Sequence, residues 1–417
     1  VACFIYTSGT GGRPKGVMLT HRSLLANCDG AHGLLESYGL GDEIFLSLLP
    51  LSHSYEHTCG LFFPISIGAQ IYYCEGPDQL AANLTEVRPT IMTAVPRLYE
   101  VLHDRILRGV DRQGGKKAEL FREAVRLGIK KYEDPRSLTL FERLKDMLLT
   151  LLVRKKVGER FGGRLKAFVS GGAALNPDIG KFFLALNVDL LQGYGQTEAS
   201  PVVSANLPSK IKIHTVGPAL RGVQVRIAED GEILIAGDLL MKGYWKDPDT
   251  TAATIIDGWL HTGDIGLIDQ DGYIEITDRK KDIIVNSGGD NISPARLEGK
   301  LTIQSAIHQA MVYGDKRPYL VAVIVPDQGF IDDWASANGK TANLEVLCQD
   351  DGFRKAMASV LEPVNKDLAQ IEKIRRFTIA SAPFTTENGM MTPTLKIRRH
   401  KIREAYWEAL DALYGKG

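Results

Sequence analysis

Neither sign of charge dominates this sequence: 50 lysines and arginines balance 50 aspartates and glutamates across 417 residues. A nucleic-acid binder normally carries a large basic excess, so the balance argues against that class and leaves only local basic patches. Cysteine is scarce and odd in number, at Cys3, Cys28, Cys59, Cys74 and Cys348, and no CxxC pair occurs. This predicts free thiols in a reducing compartment and a cytoplasmic protein. No signal peptide or other targeting segment is visible. The longest strongly apolar run near a helical pattern, MLLTLLV at residues 147–153, is far short of the roughly 20 residues that span a bilayer. No internal repeat and no Ser-His-Asp pattern stands out.

What is present reads as ordinary globular protein, 44% hydrophobic and 24% charged. The length predicts two or three domains at about 150 residues each. VACFIY, IFLSLLP and AQIYYC read as strands; LTHRSLLANCDGAHGLL and QLAANLTEV read as helices. This alternation predicts an α/β architecture. Residues 99–161 change to long charged helices, and strands return with LKAFVSGGAAL. After Val216 the chain is glycine-rich and β-like, with Asp230-Gly231 and Asp271-Gly272 as hairpin signals. HQAMVYGD and YLVAVIVP read as further strands, and DDGFRKAMASVLEPVNKDLA contains a helix. The first residue is Val1, and a strand already runs into the first loop, so a fragment lacking its N-terminal part is expected.

That loop is YTSGTGGRPKG, residues 6–16. It has the makings of a phosphate cradle: glycines that let backbone N–H groups point inward, hydroxyl donors and one lysine. It fits neither common pattern. A Walker loop would place Ser or Thr after the lysine, where Gly16 stands. A dinucleotide fingerprint would need glycine at Pro14.

The loop instead resembles that of the adenylate-forming enzymes, the superfamily of acyl-CoA ligases, luciferases and peptide-synthetase adenylation domains. Their phosphate loop runs T-S-G-[ST]-T-G-x-P-K-G, and TSGTGGRPKG departs from it only at Gly11, where threonine is usual. Other signatures follow in the family's order: LLQGYGQTEAS, EILIAGDLLMKGYW, DGWLHTGD, ITDRKKDIIVNSGGDNISP and NGMMTPTLKIRRHKI. The resemblance covers essentially the whole chain.

It implies an adenylate-forming α/β fold. A large N-terminal domain of layered sheets and helices, truncated here, would occupy residues 1–278. A hinge would span 279–281, and a small mobile α/β domain 282–417. It also implies a site residue by residue. Thr7, Ser8, Gly9, Thr10, Gly12 and Lys15 would grip the ATP phosphates. Gly171, Gly172 and Ala173 would wall the adenine. Tyr194, Gly195 and Thr197 would complete the nucleotide site, with Glu198 and Thr10 toward Mg²⁺. Asp264 would take the ribose hydroxyls, and Arg279 would offer a donor fork. Lys396 would reach the carboxylate and α-phosphate, where charge builds on phosphorus. Lys281 matches the pivot, and Ser287, Gly288 and Gly289 would approach the pantetheine arm of coenzyme A.

Two segments carry competing readings. HSYEH, from His53 to His57, is literally the H-x-x-E-H pattern of inverted zinc proteases. Flanking Pro50 and Pro64 argue against a long helix there, and no third ligand is apparent. By resemblance, His53 instead lies near the substrate carboxylate. Residues 99–161, with basic clusters at Lys130-Lys131 and Arg154-Lys155-Lys156, read either as amphipathic packing helices or as a peripheral membrane surface. This insertion, together with VNSGGDNISP and TPTLKIRR, makes the chain look more like long-chain fatty acyl-CoA ligases, with a fatty acid, ATP and coenzyme A as substrates. A catalytically inactive homologue that binds nucleotide or acyl groups, and an activator of another carboxylic acid, remain open at this stage.

Overall fold

The computed structural model describes residues 1–7, 14–392 and 396–415. The chain divides into two compact units: Val1–Thr262 with Gly266–Ile276, and Gly263–Ile265 with Thr277–Gly417. Strands Trp259–Ile268 and Ile274–Arg279 each contribute residues to both.

The first unit is built on a six-stranded sheet. Its order is Gln70–Tyr73, Ile44–Ser47, Ile91–Ala94, Ala167–Ser170, Leu190–Gly195, Val202–Ala205. The first five strands are parallel and the last is antiparallel. All four residues of Ile91–Ala94 are buried, as expected of a parallel strand covered on both faces. Tyr99, Phe161, Phe168 and Phe183 pack together on this sheet, with Tyr99–Phe168 and Phe161–Phe168 ring centroids both 5.4 Å apart. Each fully buried ring contributes about 2 kcal/mol.

Two smaller sheets complete the unit. Cys3–Thr7, Lys15–Leu19 and Gly243–Tyr244 form one of them. The other joins Gln224–Ile227, Glu232–Ala236 and Trp259–Ile268, and the expected turn at Asp230-Gly231 closes its first hairpin.

The second unit centres on Ile307–Tyr313, Leu320–Pro326 and Ile374–Ile379, paired antiparallel and then parallel. Every residue of Leu320–Pro326 is buried. Helices Pro294–Thr302, Gln328–Ala337 and Asp351–Lys366 supply the residues that cover this sheet. All five cysteines are free thiols. Among the described residues no helix is long and apolar enough to cross a membrane.

Candidate active site

Thr7 and Lys15 are register partners in an antiparallel pair, so the two ends of the phosphate-loop motif are held side by side. The loop residues Ser8, Gly9, Thr10, Gly11 and Gly12 lie outside the described residues. Strand Gly243–Tyr244 pairs with the Lys15 strand and sets the Tyr244 ring 4.9 Å from Lys15 Nζ. The Tyr244 hydroxyl donates to Glu198 Oε1 at 2.8 Å. Burial, then the Glu198 carboxylate, push the Tyr244 phenol well above its ordinary pKa, so it stays a donor. Tyr6, Pro14, Lys15, Gly16, Tyr244, Trp245 and Asp247 line a cavity of about 310 Å³. The sequence reading assigned Tyr244 no role. The only signal was its place in the quoted GYW run.

Glu198 sits in the short 3-10 turn Thr197–Ala199, directly after strand Leu190–Gly195. Its main-chain oxygen accepts from Met241 N at 2.8 Å, which fixes the turn. A carboxylate is a hard oxygen donor that fits Mg²⁺ chemistry, and Glu198 is the residue that would hold it. Thr197 Oγ1 lies 2.9 Å from Ser54 Oγ, which joins the T-E motif to the segment around His53. Tyr194 is buried. At Gly195 a Cβ would lie 1.9 Å from the Pro201 carbonyl oxygen, so only glycine lets the strand pass there.

The segment around His53 corrects the sequence reading. The short helix Ser54–Glu56, the π-turns His57–Phe62 and the last turn Phe63–Ser66 form one continuous helical run. Pro64 removes a backbone donor and would clash in an α-helix, but the wider π-turns before it make room. His53 caps this run from outside, and its Nδ1 accepts from Tyr55 N at 3.3 Å. His57 Nδ1 faces the Leu51 carbonyl at 3.1 Å. Glu56 is buried and accepts from Ser47 Oγ at 2.5 Å and Thr93 Oγ1 at 2.8 Å. Burial raises its pKa, while Ser47, Thr93 and the Leu48 and Leu49 backbone oppose the rise. These bonds tie Glu56 to the sheet. No group of three or more His, Cys, Asp or Glu able to hold a metal ion occurs among the described residues.

The loop after Ala167–Ser170 brings Gly171 N to the Ala94 carbonyl at 3.2 Å. A Cβ at Gly171 would meet the Tyr55 ring at 2.9 Å. Gly172 takes a φ of +84°, which favours glycine. Ala173 is exposed. The loop thus carries little side-chain bulk at Gly171 and Gly172, with the Tyr55 ring packed against Gly171.

The remaining predicted residues belong to the second unit. Asp264 is buried and pairs with Arg279 Nε at 2.9 Å. Lys396 N bonds Thr392 Oγ1 at 3.1 Å, and its carbonyl accepts from Thr392 N at 2.8 Å. Although the Lys396 side chain as a whole is exposed, desolvation, with Arg279 nearby, lowers its pKa to about 8; Asp264 works in the opposite direction. Three residues on, Arg399 donates to both carboxylate oxygens of Glu298, at 2.6 and 2.5 Å. Glu298 also accepts from Val312 N at 2.7 Å. This partly buried fork anchors the chain that carries Lys396 to the central sheet of its unit.

Lys281 is exposed in the turn after strand Ile274–Arg279. Ser287, Gly288 and Gly289 form an exposed loop. Asn286 Oδ1 organises it by accepting from Gly288 N and Asp290 N, both at 2.9 Å. The sequence reading noted the glycines but not Asn286.

The chain matches the AMP-binding enzyme family over residues 1–245 and the AMP-binding enzyme C-terminal domain over residues 281–417. It is 33% identical to the long-chain-fatty-acid–CoA ligase FadD15 of Mycobacterium bovis, covering 100% of this chain and 69% of that protein. It is also 33% identical to the peroxisomal long chain acyl-CoA synthetase 7 of Arabidopsis thaliana, across 100% of this chain and 61% of the relative. Among solved structures, the adenylation domain of a Mycobacterium chelonae carboxylate reductase superposes with a TM-score of 0.72 at 26% identity, covering 99% of this chain and 60% of that one. ATP-bound MatB of Rhodopseudomonas palustris superposes with a TM-score of 0.67 at 23% identity, over 98% and 68%.

Proposed function

Because this chain belongs to the AMP-binding enzyme family, we propose that it activates a long-chain fatty acid with ATP and transfers the acyl group to coenzyme A. The observation that carries this reading is the run Ser54–Thr197–Glu198–Tyr244–Lys15, joined by 2.9 Å, 2.8 Å and 4.9 Å contacts. It links the expected acyl-side segment, the T-E motif and the phosphate loop in one unit.

In the first half-reaction a carboxylate oxygen attacks the α-phosphorus of ATP. The bond from α-phosphorus to the bridging oxygen breaks, and pyrophosphate leaves. Lys15 and Lys396 neutralise charge on the phosphates, and Thr197 orients the nucleotide. Mg²⁺, when bound at Glu198, supplies further charge neutralisation on the phosphates. In the second half-reaction the thiol of coenzyme A loses its proton to solvent, and its sulfur attacks the acyl carbon and expels AMP. No protein nucleophile is needed, because positioning and electrostatics carry both steps.

The substrate class is tested by exchange of labelled pyrophosphate into ATP. Palmitate is expected to support exchange and amino acids are not. Exchange with amino acids alone overturns the proposed class.

Lys281 is the proposed pivot between the half-reactions. Proline there would fix φ and remove an N–H. In single-turnover assays Lys281→Pro is expected to slow thioester formation by at least tenfold while adenylation stays near wild type. Equal loss in both steps contradicts the pivot role.

A further inference from the structure

Leu140–Leu149, Thr150–Arg154 and Lys155–Arg160 form one uninterrupted helical rod. At 1.5 Å per residue it is roughly 30 Å long. It starts at a capping box between Thr139 and Glu142. Its outer face carries Leu140, Phe141, Leu144, Met147, Leu148, Leu151 and Leu152, each between 51% and 81% exposed. The spacing i, i+4, i+7, i+8, i+11 makes a continuous apolar stripe. An exposed stripe of this kind marks an interaction surface.

The helix cannot simply roll over to bury it. On the opposite side Arg154, 3% exposed, donates five hydrogen bonds. They go to the carbonyls of Ala124, Ala185 and Asp146, to Thr150 Oγ1, and to Asp146 Oδ1 at 2.6 Å. Leu149, Val153 and Val157 are buried on that same side. Rotation would strand a buried guanidinium to cover the leucines.

The polar residues beside the stripe decide what covers it. The other exposed positions on the rod are Arg143, Lys155, Lys156, Arg160 and the single carboxylate Glu159. None of these four cations makes an ion pair among the described residues. We propose that this face docks flat on an anionic lipid membrane, with the apolar stripe in the headgroup–acyl boundary and the cations at the headgroups. Apolar residues on one side flanked by basic ones is the pattern of interfacial helices. A second copy is a poorer fit. In an antiparallel pairing, Lys155 and Lys156 would lie near Arg143 of the copy; in a parallel pairing, they would meet each other. Like charges then face each other, with only Glu159 to offset them. This proposal does not depend on the reaction assigned above.

The test is flotation of the purified chain with two kinds of vesicle: phosphatidylcholine alone, and phosphatidylcholine with about one third phosphatidylglycerol. The chain is expected to float with the anionic vesicles. The triple variant Leu144→Glu, Leu148→Glu, Leu151→Glu is expected to lose flotation. The pair Lys155→Glu, Lys156→Glu is expected to weaken anionic binding by about tenfold or more, with added salt doing the same to the wild type. All substituted positions are exposed, so unchanged circular dichroism and melting temperature separate lost docking from lost folding. Absence of flotation with either vesicle overturns the proposal, as does flotation unchanged by the triple variant. A dimer in light scattering that the triple variant dissociates, without vesicle binding, assigns the face to a second copy instead.

Discussion

Lys396→Ala is expected to slow fatty-acid-dependent pyrophosphate exchange by roughly 10²–10³-fold, the usual cost of removing one preorganised charge-stabilising group. The pH profile supplies a second readout. Desolvation and Arg279 lower the Lys396 pKa to about 8. The ammonium is therefore charged below that pH and loses its charge as pH rises through it. Exchange should fall with an alkaline limb near pH 8. Lys396→Arg keeps the charge throughout and should flatten that limb, even with a lower maximal rate, because guanidinium does not titrate in this range. Exchange by Lys396→Ala within threefold of wild type contradicts the assigned role.

Arg154→Ala is expected to destabilise the first unit by about 3 kcal/mol, because it removes the buried partner of Asp146 and leaves only the more exposed Lys131, 3.3 Å away, to offset the carboxylate. Asp146 and Arg154 are both buried, and their 2.6 Å bond ties two positions of one helical rod. The guanidinium also satisfies the Ala124 and Ala185 carbonyls, so truncation removes partners from several helices together. Urea unfolding followed by circular dichroism measures the change. Replacing both residues with apolar side chains of similar volume should restore much of the stability, since the charges would no longer need each other. A loss under 1 kcal/mol for Arg154→Ala would show that the rod is held by its apolar contacts alone.

Much of this fold is written in local pattern. The apolar runs at residues 44–47 and 320–326 are strands, and Asp230-Gly231 closes a hairpin. Their periodicity and turn chemistry are properties of neighbours in sequence. The segment after Pro50 misled for the converse reason. Proline normally ends a helix, but π-turns across His57–Phe62 accommodate Pro64. No short-range rule anticipates that widening.

Long-range partnerships were the least legible. Tyr244 meets Glu198 across 46 positions, and Arg399 meets Glu298 across 101. Nothing in either local motif names the other residue. Glu56 was visible only as the glutamate of a zinc-protease pattern. Its hydroxyl partners Ser47 and Thr93 lie on neighbouring strands, and only the folded sheet brings them together. The long helical region had two open readings from its sequence, packing helix or membrane surface. The fixed orientation of Arg154 showed which side of the rod faces out.

The central claim is that a carboxylate attacks α-phosphorus and the acyl group then moves to sulfur. Palmitate labelled with ¹⁸O in its carboxylate, incubated with ATP, Mg²⁺, coenzyme A and this chain, tests it in one measurement. The attacking oxygen stays on phosphorus when the thiol expels AMP. Mass spectrometry should therefore find one ¹⁸O in the phosphate of AMP, alongside palmitoyl-CoA and unlabelled pyrophosphate. Label in inorganic phosphate with ADP as the nucleotide product, or no label in any nucleotide, would contradict the account.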